Sequence, residues 1–187
     1  SASLKLDAHR NISFEGLIYD SDTSNSDDLL NVEFLAGGMV INSGTSSSYV
    51  YVNGTAVSYT DGSIFTHGGD LKITGTGGSG SVQGVKIDGA AQLSSGSGAI
   101  IITGTGGSSR GVVISGGAQL SSGIGGVTIA GTGGNLINSS GVKLSDTTIQ
   151  TTGSALNITA TSSTGNGVAL NGSNTVVESD HSISISG

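Results

Sequence analysis

The sequence has no cysteine, no proline and no tryptophan, and only six of its 187 residues are lysine or arginine. Without cysteine there is neither a disulfide scaffold nor a thiolate metal site. Without proline, or glycine at every third position, a collagen-like triple helix is excluded. Six basic residues against 13 acidic ones leave a net charge of −7, which argues against nucleic acid and anionic membrane surfaces as partners. No apolar run approaches the roughly 20 residues of a membrane-spanning helix, so membrane insertion is not expected. The chain opens on serine with no recognisable signal peptide, and its last residues, SISISG, read as a strand stopped mid-pattern. A piece of a longer or processed chain is expected.

Glycine is what the sequence has in excess. There are 34, where average usage of about 7% would supply roughly 13. Such a chain could be a flexible linker, but 34% of its residues are apolar and they come as short β-branched triplets. These triplets recur. ITGTGG stands at 73–78 and 102–107, IAGTGG at 129–134 and ITATSS at 158–163. The steps from one copy to the next are almost equal.

Three apolar columns follow the repeat. The first holds Leu71/Ile73, Ile100/Ile102, Val127/Ile129, Leu156/Ile158 and Ile183/Ile185. The second holds Val85/Ile87, Val112/Ile114, Val142/Leu144 and Val168/Leu170, and the third Ile64, Leu93, Leu120, Ile149 and Val176. The offset from third to first is constant (Ile64 to Leu71, Leu93 to Ile100, Leu120 to Val127, Ile149 to Leu156, Val176 to Ile183). From second to third it changes by at most one position. From first to second it varies widely, as Ile102 to Val112 and Ile129 to Val142 show. Two corners are fixed and one loop is free.

Within each triplet the middle residue (Lys72, Thr128, Asn157, Lys86, Lys143) is mostly polar, which is the period of a strand. Glycine at this density would destabilise a helix by about 1 kcal/mol per site. Three-residue strands cannot bury a core alone, so equivalent strands must stack about 4.8 Å apart. The fold expected is all-β: a right-handed parallel β-helix (β-solenoid) with three short strands per coil and about 27–30 residues per coil. One domain is expected over 1–187, with regular coils at 63–187. Residues 1–62 read as irregular coils with insertions near 20–28 and 43–60. ITGTGG is expected to end a strand and open the variable loop, which puts its two threonines at a turn.

The chemistry-bearing patterns are few. Asp20, Asp22, Ser24, Asp27 and Asp28 place oxygen donors at alternate positions of one loop, a set that suits calcium. Against an EF-hand loop the sixth and twelfth positions are Asn25 and Asn31, not Gly and Glu, and the alternative is a solvated acidic loop. Gly75, Gly77 and Gly80 spell G-x-G-x-x-G, but a strand follows where a dinucleotide fingerprint needs a helix. They read as corner glycines.

Asp88 and Asp146 lie two coils apart and one position out of register, a poor basis for a glycosidase pair. His9, His67 and His181 have no matching Asp or Ser. Stacked T-x-T ranks (Thr74 and Thr76, Thr103 and Thr105, Thr159 and Thr161) are a feature of ice-binding solenoids, and here are ascribed to turn formation. N-x-S/T triplets occur at Asn11, Asn53, Asn138, Asn157 and Asn171. No catalytic residue and no organic cofactor is indicated, and no enzyme activity is expected.

The phrases LKLDAHRNISFEGLI, LNVEFLAGG and SIFTHGGDLKITGTGG resemble the repeats of filamentous-haemagglutinin-type adhesins, and the resemblance runs along essentially the whole chain. It implies a right-handed β-helix from a large secreted bacterial surface protein, of the two-partner-secretion or autotransporter-passenger kind, and an extracellular or cell-surface location. It also implies that the N-x-S/T triplets are possible glycosylation sites. The characteristic N-terminal secretion domain is not recognisable, so the segment is expected to come from the shaft.

The expected role is a structural and adhesive rod, binding a host or neighbouring-cell receptor or glycan through the loops that follow Ile73, Ile102, Ile129 and Ile158. The alternatives are a polysaccharide-binding or polysaccharide-processing β-helix and the protomer of an extracellular fibre. The last would associate end to end through the unpaired edge at Ile183 and Ile185.

Overall fold

The computed structural model describes the backbone of residues 2–8, 12–14, 30–36, 40–42, 45–46, 49–54, 57–60, 62–66, 68–77 and 81–187. Side chains are described for those from residue 62 onward, together with Lys5. Among these residues there is no helix. The strands form three parallel sheets of eight, seven and six strands. The chain visits the first, second and third sheet in turn and then begins again one strand higher. The molecule is a parallel β-solenoid with three strands per coil.

Register in the first sheet follows the columns read from the sequence. Ile73, Ile102, Ile129, Ile158 and Ile185 stand in line across successive coils. Leu71, Ile100, Val127, Leu156 and Ile183 pair in the same order, so each turn of the coil is one sequence repeat. In the second sheet Ile87, Ile114, Leu144 and Leu170 line up in the same way. Strand Leu71–Thr76 alternates buried and open positions, so every second side chain enters the core. Ile64, Ile87, Ile102, Ile114, Ile129, Leu144 and Ile158 are fully enclosed. Leu170, Ile183 and Ile185, in the last described coil, remain about half exposed.

The corner between the first and second sheets explains the glycine of each T-G-T. Gly75, Gly104 and Gly131 point inward. A Cβ on them would lie 2.0, 2.3 and 2.1 Å from the carbonyl oxygens of Gly84, Gly111 and Gly141. A second tier repeats the approach, where a Cβ on Gly106 would meet Ser109 O at 2.3 Å. Only glycine lets the two backbone segments come this close. The glycine pairs close the corner, so the loop beyond them is free to vary in length.

Three expectations change. First, the strands run through the threonines. They span Leu71–Thr76, Ile100–Thr105, Val127–Gly133 and Leu156–Ser162, so the loop opens after T-G-T and the threonines do not sit at a turn.

Second, Val177 and not Val176 continues the third column: Ile149 pairs with Val177 and Thr148 with Val176. The preceding corner is held one residue longer than the spacing rule assumed. Asp146 N donates to Thr175 Oγ1 at 2.8 Å, and Asn174 N donates to the Asp146 carboxylate at 3.3 Å.

Third, residues 43–60 are not an insertion. Strands Thr45–Ser46, Tyr49–Gly54 and Val57–Thr60 join the third, first and second sheets. The coils there are shorter than the rest. Asn31 already pairs with Tyr49, and Val50 with Leu71, whereas the next coil has to run from Leu71 to Ile100. The proposed insertion at 20–28 lies outside the described residues.

Candidate functional site

The corner between the third and first sheets is closed by hydroxyls. Two positions after each third-column residue stand Thr66, Ser95, Ser122, Thr151 and Ser179, the first four of them buried. Ser95 Oγ donates to Gly98 O at 2.7 Å, and Ser122 Oγ reaches the same carbonyl at 2.8 Å. Thr151 Oγ1 and Ser179 Oγ converge on Ser154 O at 2.8 and 2.9 Å. Each of these two carbonyls thus finds one donor from its own coil and one from the next, which ties adjacent coils together at this corner. The column is visible in the sequence as a Ser or Thr at fixed offset, but it looks like ordinary serine abundance until the register is known. Its role is structural.

The sequence-derived candidates fall as follows. Asp20, Asp22, Ser24, Asp27 and Asp28 lie outside the described residues, as do His9 and His67. Among the described residues no three His, Asp or Glu side chains gather around one point. Asp88 and Asp146 occupy different columns, since Asp88 continues the line of Ser115 and Ser145 while Asp146 comes one residue later. Both are engaged locally. Lys86 Nζ lies 2.7 Å from Asp88, and Ser115 Oγ donates to it at 2.8 Å. The hydrogen bond from Lys86 is the main reason the Asp88 carboxyl is held below its ordinary value of 3.8, with Ser115 assisting and partial burial opposing.

Asp146 stands at φ 51°, where the equivalent corners use Gly89, Gly116 and Gly172 at φ 65°, 73° and 85°. Asp180 accepts from Gly153 N and lies 2.9 Å from His181 Nδ1, which holds its carboxyl below the usual range. Of the N-x-S/T asparagines, Asn138, Asn157 and Asn171 are exposed, and the side chains of Asn11 and Asn53 lie outside the described residues.

The threonine ranks are outward-facing. Thr76, Thr105, Thr132 and Thr161 are in register across four coils, all exposed, and Thr74, Thr103, Ala130 and Thr159 run beside them. They form two parallel lines on one face of the first sheet.

The variable loops stack on one edge, between the first and second sheets. The longest described, at 134–141, is tied on both sides. Leu136 N donates to Ser108 O at 2.9 Å, and Thr164 Oγ1 and Ser163 Oγ donate to Leu136 O and Gly134 O at 2.8 and 3.0 Å. It carries Ile137, 86% exposed, and Asn138 at φ 64°.

This loop walls a cleft of about 320 Å³ over the second sheet, lined by Arg110, Asn138, Ser140, Lys143, Asn166, Ala169 and Asn171. Arg110, Ser140 and Asn166 precede the closing glycines of three successive coils, and Gly111 N and Gly141 N donate to Ser140 O and Asn166 O. Lys143 pairs in register with Ala169, whose small side chain leaves the space open. Two cations and four amide or hydroxyl groups meet there without a carboxylate.

The fold and this edge define a parallel β-solenoid with one variable, loop-bearing edge. No protein-family model matches the chain, and neither a curated protein nor a solved structure matches it.

Proposed function

We propose that the chain is a structural and adhesive rod segment of a large secreted bacterial surface protein. The solenoid core would set its shape, and the loops between the first and second sheets would make its contacts. The supporting observation is a division of labour around the coil. Two corners are closed by repeated devices, the positive-φ residues after the second sheet and the hydroxyl column after the third. The remaining corner is closed by glycine pairs and frees its loops to differ from coil to coil. A scaffold that is rigid everywhere except along one edge suits display of binding groups. The Cys-free composition and the adhesin-like repeat phrases support the same reading and an extracellular or cell-surface location.

The test is adhesion of beads carrying the chain to bacterial and animal cells. The comparison is a variant in which loop 134–139 is replaced by the shorter GSSR of 107–110. Retained β-structure with lost adhesion supports the reading. Absence of adhesion by the wild-type chain to every surface tried would remove the adhesive role.

A further inference from the structure

The chain carries a net charge of −7 and only six basic residues, yet two of them, Arg110 and Lys143, line one cleft in which no acidic residue takes part. The carboxylate beside the cleft is Asp146, whose N–H donates to Asn171 O of the cleft lining and whose side chain accepts from Asn174 N at 3.3 Å. Asp88, farther along the second sheet, is taken by Lys86 and Ser115. No ion pair among the described residues engages either cleft cation. Arg110 Nε is moreover buried without a hydrogen-bond partner. A buried N–H left unpaired costs about 1–3 kcal/mol, and an acceptor entering the cleft removes that cost.

We propose that this cleft binds a carboxylate-bearing saccharide of the uronic-acid kind. The carboxylate is planar and takes two parallel bonds from a guanidinium edge, which Arg110 supplies, while Lys143 adds a second charge. The rest of the lining identifies a sugar and not a bare anion. The side chains of Asn138, Asn166 and Asn171 make no hydrogen bond among the described residues, and each carboxamide both donates and accepts. That matches ring hydroxyls, which also do both. A small inorganic anion would accept from their N–H groups and leave the three carbonyl oxygens without a donor.

The wall that presents Asn138 is pinned to the coils on either side, so the donors are arranged before a ligand arrives. At about 320 Å³ the cleft stands at the small end of ligand pockets, which run from about 300 to 1,000 Å³, and suits one or two rings. The proposal deepens the adhesive reading by naming a ligand class, and it rests on that reading for its biological role.

Calorimetric titration of the whole chain with trigalacturonate, the neutral trigalactose and a sulfated trisaccharide tests it. Trigalacturonate is expected to bind, with the neutral sugar at least about tenfold weaker, the worth of one charge-assisted hydrogen bond. Arg110→Gln and Lys143→Gln should each weaken binding by roughly the same factor with unchanged circular dichroism. Lys72→Gln, which removes a charge from the first sheet, should leave binding as it was.

Absence of binding at millimolar trigalacturonate, equal binding of the neutral sugar, or indifference to both cleft substitutions overturns the proposal. Equal or tighter binding of the sulfated sugar overturns the assignment to carboxylates. Saccharide binding without cell adhesion would leave the cleft standing and remove the adhesive reading. Adhesion without saccharide binding would do the reverse.

Discussion

Gly104 faces Gly111 across the inside of a corner so closely that a Cβ on Gly104 would stand 2.3 Å from the Gly111 carbonyl oxygen and 2.7 Å from Val112 Cγ2. The contact is backbone against backbone, so no rotamer change relieves it. Gly104→Ala is expected to destabilise the fold by about 1–3 kcal/mol, read as a lower midpoint in urea. Ala130→Thr, on the outward face of the adjacent coil between Thr103 and Thr159, should change stability by less than about 0.5 kcal/mol. If Gly104→Ala melts like wild type, the corner is looser than described.

Core and loop isoleucines should separate sharply. Ile129 is fully enclosed and Ile137 is 86% exposed. Ile129→Ala should cost about 2–5 kcal/mol, since it leaves a cavity in a stack that cannot collapse without breaking register. Ile137→Ala should leave the denaturation midpoint unchanged. Equal effects at the two sites would contradict the placing of Ile129 in the core and Ile137 on an exposed loop.

The hydroxyl column predicts a smaller loss. Ser95→Ala removes one of the two donors at Gly98 O, the other coming from Ser122. A cost of about 1 kcal/mol is expected. The double variant Ser95→Ala, Ser122→Ala leaves that carbonyl without either hydroxyl and should cost more than the sum of the singles. Strict additivity in a double-mutant cycle would show that the two hydroxyls do not share an acceptor.

At Asp146 the backbone sits at φ 51°, a conformation that asparagine and aspartate tolerate and β-branched residues do not. Asp146→Asn should be close to neutral, because an amide oxygen still accepts from Asn174 N. Asp146→Val should cost about 1–3 kcal/mol. Comparing the two thermal melts is sufficient, and equal stability of the variants would argue against the left-handed corner.

Asp88 gives a pH dependence of known sign. Its carboxyl is held below 3.8, chiefly by the hydrogen bond from Lys86. The folded value is therefore lower than the unfolded one. The contribution to stability is full above about pH 4 and fades as pH falls through the folded value. Because the Lys86 side chain is 40% exposed, solvent screening keeps the effect to a few tenths of a kcal/mol. The advantage of wild type over Asp88→Asn should be present at pH 6 and shrink below pH 4. An advantage that grows toward low pH would reverse the assignment.

The sequence by itself determined the coil. Near-equal steps between the copies of ITGTGG, period-two triplets and a third-to-first offset that holds from Ile64 to Leu71 through Ile149 to Leu156 leave little choice but stacked parallel strands. Strands with only two or three inward apolar residues each have no other way to bury their faces. It also located the free loop, since only one of the three offsets varies widely.

The tertiary structure decided what local pattern leaves open. Two adjacent valines at 176 and 177 look alike in sequence, and only the hydrogen bonds of the Asp146 corner select the second. The threonines of ITGTGG look like turn residues until the glycine between them is seen to be inward-facing, which extends the strand. Arg110 and Lys143 stand far apart in the chain, with a whole coil between them. They share a cleft only because coil closure sets successive turns about 4.8 Å apart, and because Ala169 leaves the neighbouring position empty. Spacing along a chain fixes which residues stack, and the packing of backbone at the corners fixes which side chains are left to face a ligand.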